Sequence, residues 1–343
     1  MRILVIGGTR FIGPPAVTSL YEMGHTLMLF HRQPTTLDLP EHIEHVYGDR
    51  RQHLANFGDT FRRFEPDVVL DMMPVTEQDA RELMGTFKGM AWRVVAISSA
   101  DVYRAYGRLT GTEPGDPDPV PMTEEAPLRE KLYPYRTDKP RADDDPMRWT
   151  DDYDKILVER VVMGDPGLPG TVLRLPMVYG PQDYQHRMSP YLKRMLDDRP
   201  AILLDERTAR WRTTRGYVEN VGAAIAQATV DERAAGRIYN VGESSLSEVE
   251  WVRQIGEAAG WHGEIVVAPD DVLPDSMRAG EELEQDLVTD TLRIRNELGF
   301  DPPIAFEDGI RRTVDWESAH FPPQAEPLDY TAEDEVLQRL HAR

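Results

Sequence analysis

The sequence predicts an α/β fold, a doubly wound parallel sheet followed by a smaller C-terminal α/β region. Three observations predict it. Short apolar runs alternate with longer amphipathic stretches through the first half, the rhythm of strands joined by crossover helices on both faces of a parallel sheet. The first apolar run ends on a glycine-rich turn, RILVIGGTRFIGPPAV, where a strand gives way directly to a helix. At 343 residues, 40% of them hydrophobic, the chain can bury one large core or two smaller ones sharing an interface.

In order, RILVIG at 2–7 reads as a buried strand, whose apolar run stops at Ile6 against two glycines, too short for the apolar segment of a secretion signal. AVTSLYEMG (16–24) is a helix, TLMLF (26–30), EHVYGD (44–49), DVVLDMM (67–73) and RVVAISS (93–99) are strands. Residues 104–150 break the rhythm: they are rich in Pro, Asp, Glu and Gly, which sustain no long regular element, and read as either a partly ordered lid or a floppy excursion. A helix, DKILVERVVM (154–163), and a single strand, GTVLRLPMVYG (170–180), follow. SEVEWVRQIGEAAG (247–260) has helical apolar spacing and opens on Ser247 with Glu250 three later, a capping-box arrangement; the tail EPLDYTAEDEVLQRL (326–340) reads as a peripheral helix.

Composition narrows the function. The net charge of -21, from 60 acidic and 39 basic residues, repels phosphate polymers and anionic membrane surfaces, so nucleic-acid binding is unlikely on charge grounds. There is no cysteine, hence no disulfide framework and no thiolate chemistry, which fits a reducing compartment. Nowhere do about 18 uncharged apolar residues run together, so no membrane span is expected and the expected location is the cytoplasm. The nine histidines form no helical metal pair, and no G-x-S-x-G turn supports a hydrolase, so no metal site is expected.

The glycine-rich turn sits where backbone N–H groups and a helix N-terminus hold a pyrophosphate. Gly7 makes the tight turn, Gly13 lets helix and strand pack closely, and Thr9, Arg10, Phe11 and Ile12 form the loop between them. Together with ISSADVY, DKILVE, LRLPMVYGP, RGYVENVGAAI and GRIYNVGE, this stretch resembles the extended short-chain dehydrogenase/reductase superfamily, the nucleotide-sugar epimerases and dehydratases, over nearly the whole chain and in the right order. GGTRFIG with LFHR is most similar to an atypical branch that includes the chloroplast stem-loop-binding proteins and bacterial epimerase-like proteins. The resemblance implies a Rossmann-type dinucleotide-binding domain over 1–180 with an insertion at 104–150, and a mainly substrate-binding domain over 181–343 from which 213–240 packs back.

Two departures bear on the cofactor. The middle glycine of the family's loop is Arg10 here, and the residues ending the second strand are Phe30, His31 and Arg32, where the family places an aspartate on the ribose of NAD. Losing a carboxylate and gaining cations favours NADP(H) over NAD(H). By resemblance, Asp49 meets the adenine amino group with Arg50 stacking nearby, Ser98 lies beside the cofactor, and Pro176 and Val178 line the nicotinamide.

The resemblance also assigns Ser99 to the substrate oxygen and Lys155 to the nicotinamide ribose. The dehydratases carry Asp-Glu directly after the Ser/Thr; this chain has Ala100 and Asp101, one carboxylate for acid–base work. In the family's Y-x-x-x-K, a tyrosine one helical turn before the lysine shares its face and has its pKa lowered by it. Asp151 holds that position, and Tyr153 would point roughly 200° away on a regular helix. Three answers stay open: the helix begins irregularly at Asp151 or Asp152 and swings Tyr153 inward; a lid tyrosine, Tyr133 or Tyr135, replaces it; or the proton relay is lost. Arg215 matches the family's pyrophosphate-clamping arginine, with Arg187 or Arg212 assisting. The leading expectation is an NAD(P)-dependent oxidoreductase or epimerase acting on a nucleotide-sugar or similar anionic sugar, as a homodimer if it pairs as relatives do. A cofactor-binding sensor or scaffold and an RNA-binding protein are the rivals.

Overall fold

The computed structural model describes residues 1–32, 39–40, 42–50, 53–269, 271–322 and 329–342. Seven strands form one parallel sheet in the order β10-β6-β5-β4-β1-β2-β3. They are β1 (Arg2–Ile6), β2 (Thr26–His31), β3 (Glu44–Tyr47), β4 (Val68–Asp71), β5 (Arg93–Ser99), β6 (Gly170–Leu175) and β10 (Arg237–Asn240). The chain thus follows the expected doubly wound, Rossmann-like plan. β1 lies between β2 and β4, so the strand order reverses at its carboxyl end, which is where a crevice opens in such sheets.

Successive residues of a strand face opposite sides, and the core divides accordingly. Ile3 and Val5 of β1 with Leu27 and Leu29 of β2 join one apolar cluster; Leu4, Ile6, Met28 and Phe30 join the other. α1 (Gly13–Glu22) covers the first face with Ala16, Val17 and Leu20. Beside it lies α8 (Val218–Val230), which leads through a short turn to β10. The close approach of the two helices requires Gly222: a Cβ there would stand 2.6 Å from Pro15 Cβ and 2.7 Å from the Ala16 nitrogen. α3 (Glu77–Phe87) and α5 (Lys155–Met163) cover the other face, α3 starting from a capping box in which Thr76 and Asp79 exchange hydrogen bonds.

The single strand expected over 170–180 is two. β6 belongs to the large sheet, whereas β7 (Met177–Tyr179) pairs with β9 (Arg215–Tyr217). Pro176 stands between them, and without an N–H it cannot continue a ladder. β8 (Ala201–Asp205) and β11 (Glu264–Ala268) form a second small parallel pair, and α9 (Glu248–Ala259) begins at Ser247, whose N–H and hydroxyl both donate to Glu250.

Residues 104–150, termed the lid below, are ordered rather than a floppy excursion. Its one regular helix before residue 148 is α4 (Arg104–Leu109), and it is pinned by buried polar groups. The Glu113 carboxylate accepts the N–H groups of Glu130 and Lys131, while Arg129, 2% exposed, donates to the carbonyls of Asp101 and Lys131. The other helices are α2 (Gly58–Phe64), α6 (Ser189–Leu196), α7 (Glu206–Arg210), α10 (Leu292–Leu298), α11 (Phe306–Ala319) and the tail helix α12 (Thr331–His341).

Candidate active site

Three strand ends and one helix start converge at the carboxyl edge of the sheet. β1 delivers the glycine loop. Gly7 and Gly8 have φ of 87° and 79°, a region costly for side-chain-bearing residues. Gly13 is required by contact rather than dihedral: a Cβ would lie 2.4 Å from the Gly8 carbonyl carbon. Gly13 N–H is bound to the Arg10 carbonyl at 2.8 Å, and the N–H groups of Phe11 and Ile12 have no partner among the described residues. Phe11 takes a φ of 43° to present them. Pro14 and Pro15 remove two donors from the first turn of α1, so the open N–H groups of the loop carry the anion-binding capacity. A dinucleotide phosphate fits this cradle.

β4 ends on Asp71, fully buried, whose carboxylate accepts both oxygens' worth of bonds from Arg50 at 2.8 and 2.9 Å. Arg50 also donates to the Met73 carbonyl and pairs with Asp79. Burial raises the Asp71 carboxyl despite Arg50. Arg50 is therefore an anchored side chain tying β3's exit to β4. Asp71 escaped the sequence reading, although an acid closing the apolar run DVVLD signals a buried carboxylate needing a partner.

β5 ends on Ser98 and Ser99. Ser98 donates to Glu159 at 2.6 Å, and Glu159 forms a buried ion pair with Arg174, which reaches Tyr103. Ser98 thus faces the core. Ser99 accepts the Asp101 N–H at 3.2 Å and is the one of the two serines on the cleft side.

The start of α5 answers the question of the tyrosine. The helix begins at Lys155, not at Asp151 or Asp152, and its cap is Asp154, whose carboxylate accepts the Ile156 N–H at 2.9 Å. A separate 3₁₀ turn, Arg148–Asp152, precedes it, and Tyr153 bridges the two in an extended conformation (φ -66°, ψ 123°). In extended chain, residues two apart share a side, so Tyr153 and Lys155 do. Lys155 Nζ lies 5.7 Å from the centre of the Tyr153 ring. Asp154 also accepts the Tyr133 N–H at 2.6 Å, binding the lid to the helix start. Asp151 points elsewhere, to Arg141 and Arg148.

The Tyr153 hydroxyl donates to Asp101 Oδ2 at 2.8 Å, and the hydroxyl of Tyr135, from the lid, donates to the same oxygen at 3.0 Å. Tyr133 does not enter; its ring lies under Arg136. Asp101 Oδ1 is buried without a partner. Burial, then the charge of Asp101, pushes Tyr153 well above an ordinary phenol, so the lowering expected from the lysine is outweighed. Burial likewise lowers Lys155 to about 8, against Asp101 and Asp71; its ammonium donates to the carbonyls of Pro74 and Ile97 at 2.7 and 2.9 Å.

The chain has matches among known proteins. The model of the NAD dependent epimerase/dehydratase family fits residues 3–242. The chain belongs to that family. Its relatives include a dTDP-glucose 4,6-dehydratase of Streptomyces niveus, 31% identical over 152 residues, 44% of this chain and 42% of that one. Three relatives, this one among them, are matched over only 42% to 61% of their own length. A dTDP-glucose 4,6-dehydratase of Neisseria meningitidis serogroup B is 23% identical over 92% of both chains. Among solved structures, the UDP-glucuronic acid 4-epimerase of Bacillus cereus, in complex with UDP-glucuronic acid and NAD, has a TM-score of 0.64 at 16% identity, covering 93% of this chain and 99% of that one.

The remaining residues singled out for this epimerase/dehydratase chain are distributed unevenly. Thr9 is half-buried in the loop, and Arg10 and Arg32 are exposed with no ion-pair partner among the described residues. His31 is buried, its Nε2 2.8 Å from His45 Nδ1. Asp49 is half-buried, Pro176 sits at the β6–β7 break, and Val178 is buried in the core cluster. The three candidate phosphate arginines all face carboxylates: Arg187 meets Asp183 at 2.6 Å, Arg212 meets Asp286 at 2.9 Å, and buried Arg215 pairs with Glu248 and lies over Trp251. Among the described residues no helix is long and apolar enough to cross a membrane, and no acidic or histidine cluster is placed to hold a metal.

Proposed function

We propose that this chain is an NAD(P)-dependent oxidoreductase or epimerase that moves a hydride at a hydroxyl-bearing carbon of a sugar, with a nucleotide-linked sugar as the substrate class. The observation that carries this reading is Tyr153, which stands beside Ser99, Asp101 and Lys155 even though the tyrosine position of the family's motif is Asp151. When bound, the nicotinamide accepts or supplies the hydride. Ser99 polarises the substrate oxygen, Tyr153 exchanges the proton with it, Lys155 orients the ribose, and the N–H groups of Phe11 and Ile12 hold phosphate. Exposed Arg10 and Arg32 favour NADP(H) by offering guanidinium forks to a 2′-phosphate, whereas the Bacillus cereus epimerase holds NAD.

Arg215 is the residue proposed for the sugar-nucleotide diphosphate, sharing its remaining donors while Glu248 keeps one amino group. The sensor reading rested on a missing tyrosine and loses that ground. The test is Tyr153→Phe with Ser99→Ala, assayed on UDP- and dTDP-hexoses with both cofactors. NADPH binding should stay within a few-fold while turnover falls by about 10²–10⁴. Unchanged turnover in Tyr153→Phe would remove the tyrosine from the mechanism, and a wild type that binds NADPH yet converts none of these sugars would restore the sensor.

A further inference from the structure

Three phenols and one carboxylate form a continuous line through the base of the lid. The Tyr106 hydroxyl donates to that of Tyr135 at 3.1 Å, Tyr135 donates to Asp101 Oδ2 at 3.0 Å, and Tyr153 donates to the same oxygen at 2.8 Å. Edge-on ring contacts brace it, 6.2 Å between Tyr106 and Tyr135 and 5.2 Å between Tyr135 and Tyr153. The inner end is buried, with Asp101 5% and Tyr153 9% exposed; Tyr135 and Tyr106 are half-buried and reach the surface.

The surroundings of Asp101 are those of a proton carrier rather than of a structural ion pair. Arg129 spends its Nε on the backbone carbonyl of Asp101. Lys155 spends its ammonium on the carbonyls of Pro74 and Ile97. The carboxylate is left with two phenols on one oxygen and nothing on the other. Burial raises its carboxyl above the ordinary range, against lowering by Tyr153, Arg129, Tyr135 and Lys155. Such a group holds a proton more readily than a paired aspartate does.

The geometry points to a proton path, Tyr106–Tyr135–Asp101–Tyr153, that reconnects Tyr153 with solvent after each turnover; it rests on the oxidoreductase reading above. In carbonyl reduction the substrate carbon gains the hydride, and its oxygen takes the Tyr153 proton as that O–H bond breaks. Tyr135 passes its proton through Asp101 Oδ2 to the phenolate, Tyr106 passes its own to Tyr135, and Tyr106 takes one from water. One proton enters per alcohol formed and no further reactant is needed. Alcohol oxidation runs the same line outward. An epimerase that keeps its cofactor returns the proton inside the site and needs no such exit, so of the two proposed reactions the path serves net oxidation or reduction.

The test uses the full chain and Tyr135→Phe and Tyr106→Phe, with Asp101→Asn to assign the Asp101 carboxyl band in an infrared pH titration of the cofactor-free protein. Tyr135→Phe removes a donor to the carboxylate and is expected to move the midpoint upward. With UDP- and dTDP-hexoses and NADP, both phenylalanine variants are expected to keep KM, lose about tenfold in kcat in dilute buffer, and recover it in concentrated imidazole, which leaves wild type unchanged. A loss that imidazole does not restore, or no loss, overturns the path while the enzyme reading stands. An unmoved midpoint in an active wild type also removes the path alone. A wild type inactive on every sugar removes the enzyme reading and the path with it.

Discussion

Tyr153 stands on the side of Lys155, two residues before it, because Asp154, not Asp151, caps the helix. That is a local capping choice: Asp151, Asp152 and Asp154 are all favourable caps, and only the lid, through the Tyr133 N–H and Arg129, selects Asp154. Lys155 follows into the interior, which lowers it from 10.5 to about 8, burial being the largest cause. Between those values the unfolded chain binds the proton that the fold has shed, so stability rises with pH across the window and the buried ammonium costs on the order of 3 kcal/mol below it. Urea unfolding at about pH 8 and about pH 9.5, below the range where tyrosines of the unfolded chain ionise, should show a rise in wild type that Lys155→Met lacks. The slope is the observable, since the variant also strands the carbonyls of Pro74 and Ile97. A wild type whose stability does not rise between the two values would place the lysine in a wetter site.

At the scale of elements, the glycine loop and α1 are held by a backbone-to-backbone approach that no side chain can relieve. Gly13→Ala puts a methyl 2.4 Å from the Gly8 carbonyl carbon. It should cost about 1–3 kcal/mol in thermal unfolding and abolish NADPH binding. Gly85 in α3 is the matched control: nothing lies within 4 Å of its Cβ, so Gly85→Ala should gain about 0.5–1 kcal/mol and bind NADPH as wild type does. Equal effects of the two would mean that the loop tolerates a shift. This loop was legible in the sequence because strand, glycines and helix are contiguous. The splitting of 170–180 was legible only in Pro176, and the lid's order was not legible at all, since Glu113 and Arg129 find their partners across 17 residues and 28 residues of a segment with almost no periodicity.

For the whole molecule, the sheet order follows from periodicity and connection rules, whereas the pairing of charges does not, because carboxylate–guanidinium partners such as Arg215–Glu248 and Arg50–Asp71 come from separate elements. Those pairings decide what a net charge of -21 means for an anionic cofactor. The long-range field repels NADP and NAD alike and is damped over roughly 8 Å at physiological ionic strength. Discrimination between the two cofactors must therefore come from cations near the 2′ position that no carboxylate has neutralised, and Arg10 and Arg32 flank the loop and the end of β2 with no ion pair among the described residues. Replacing both by serine should weaken NADPH binding about tenfold or more, as loss of a charge-assisted hydrogen bond does, and leave NADH within a factor of about two. With the arginines gone, stopped-flow association of NADPH should accelerate as salt screens the bare acidic field. If instead the variant loses NADPH and NADH equally, both arginines serve the shared pyrophosphate and give no ground for NADP(H) over NAD(H).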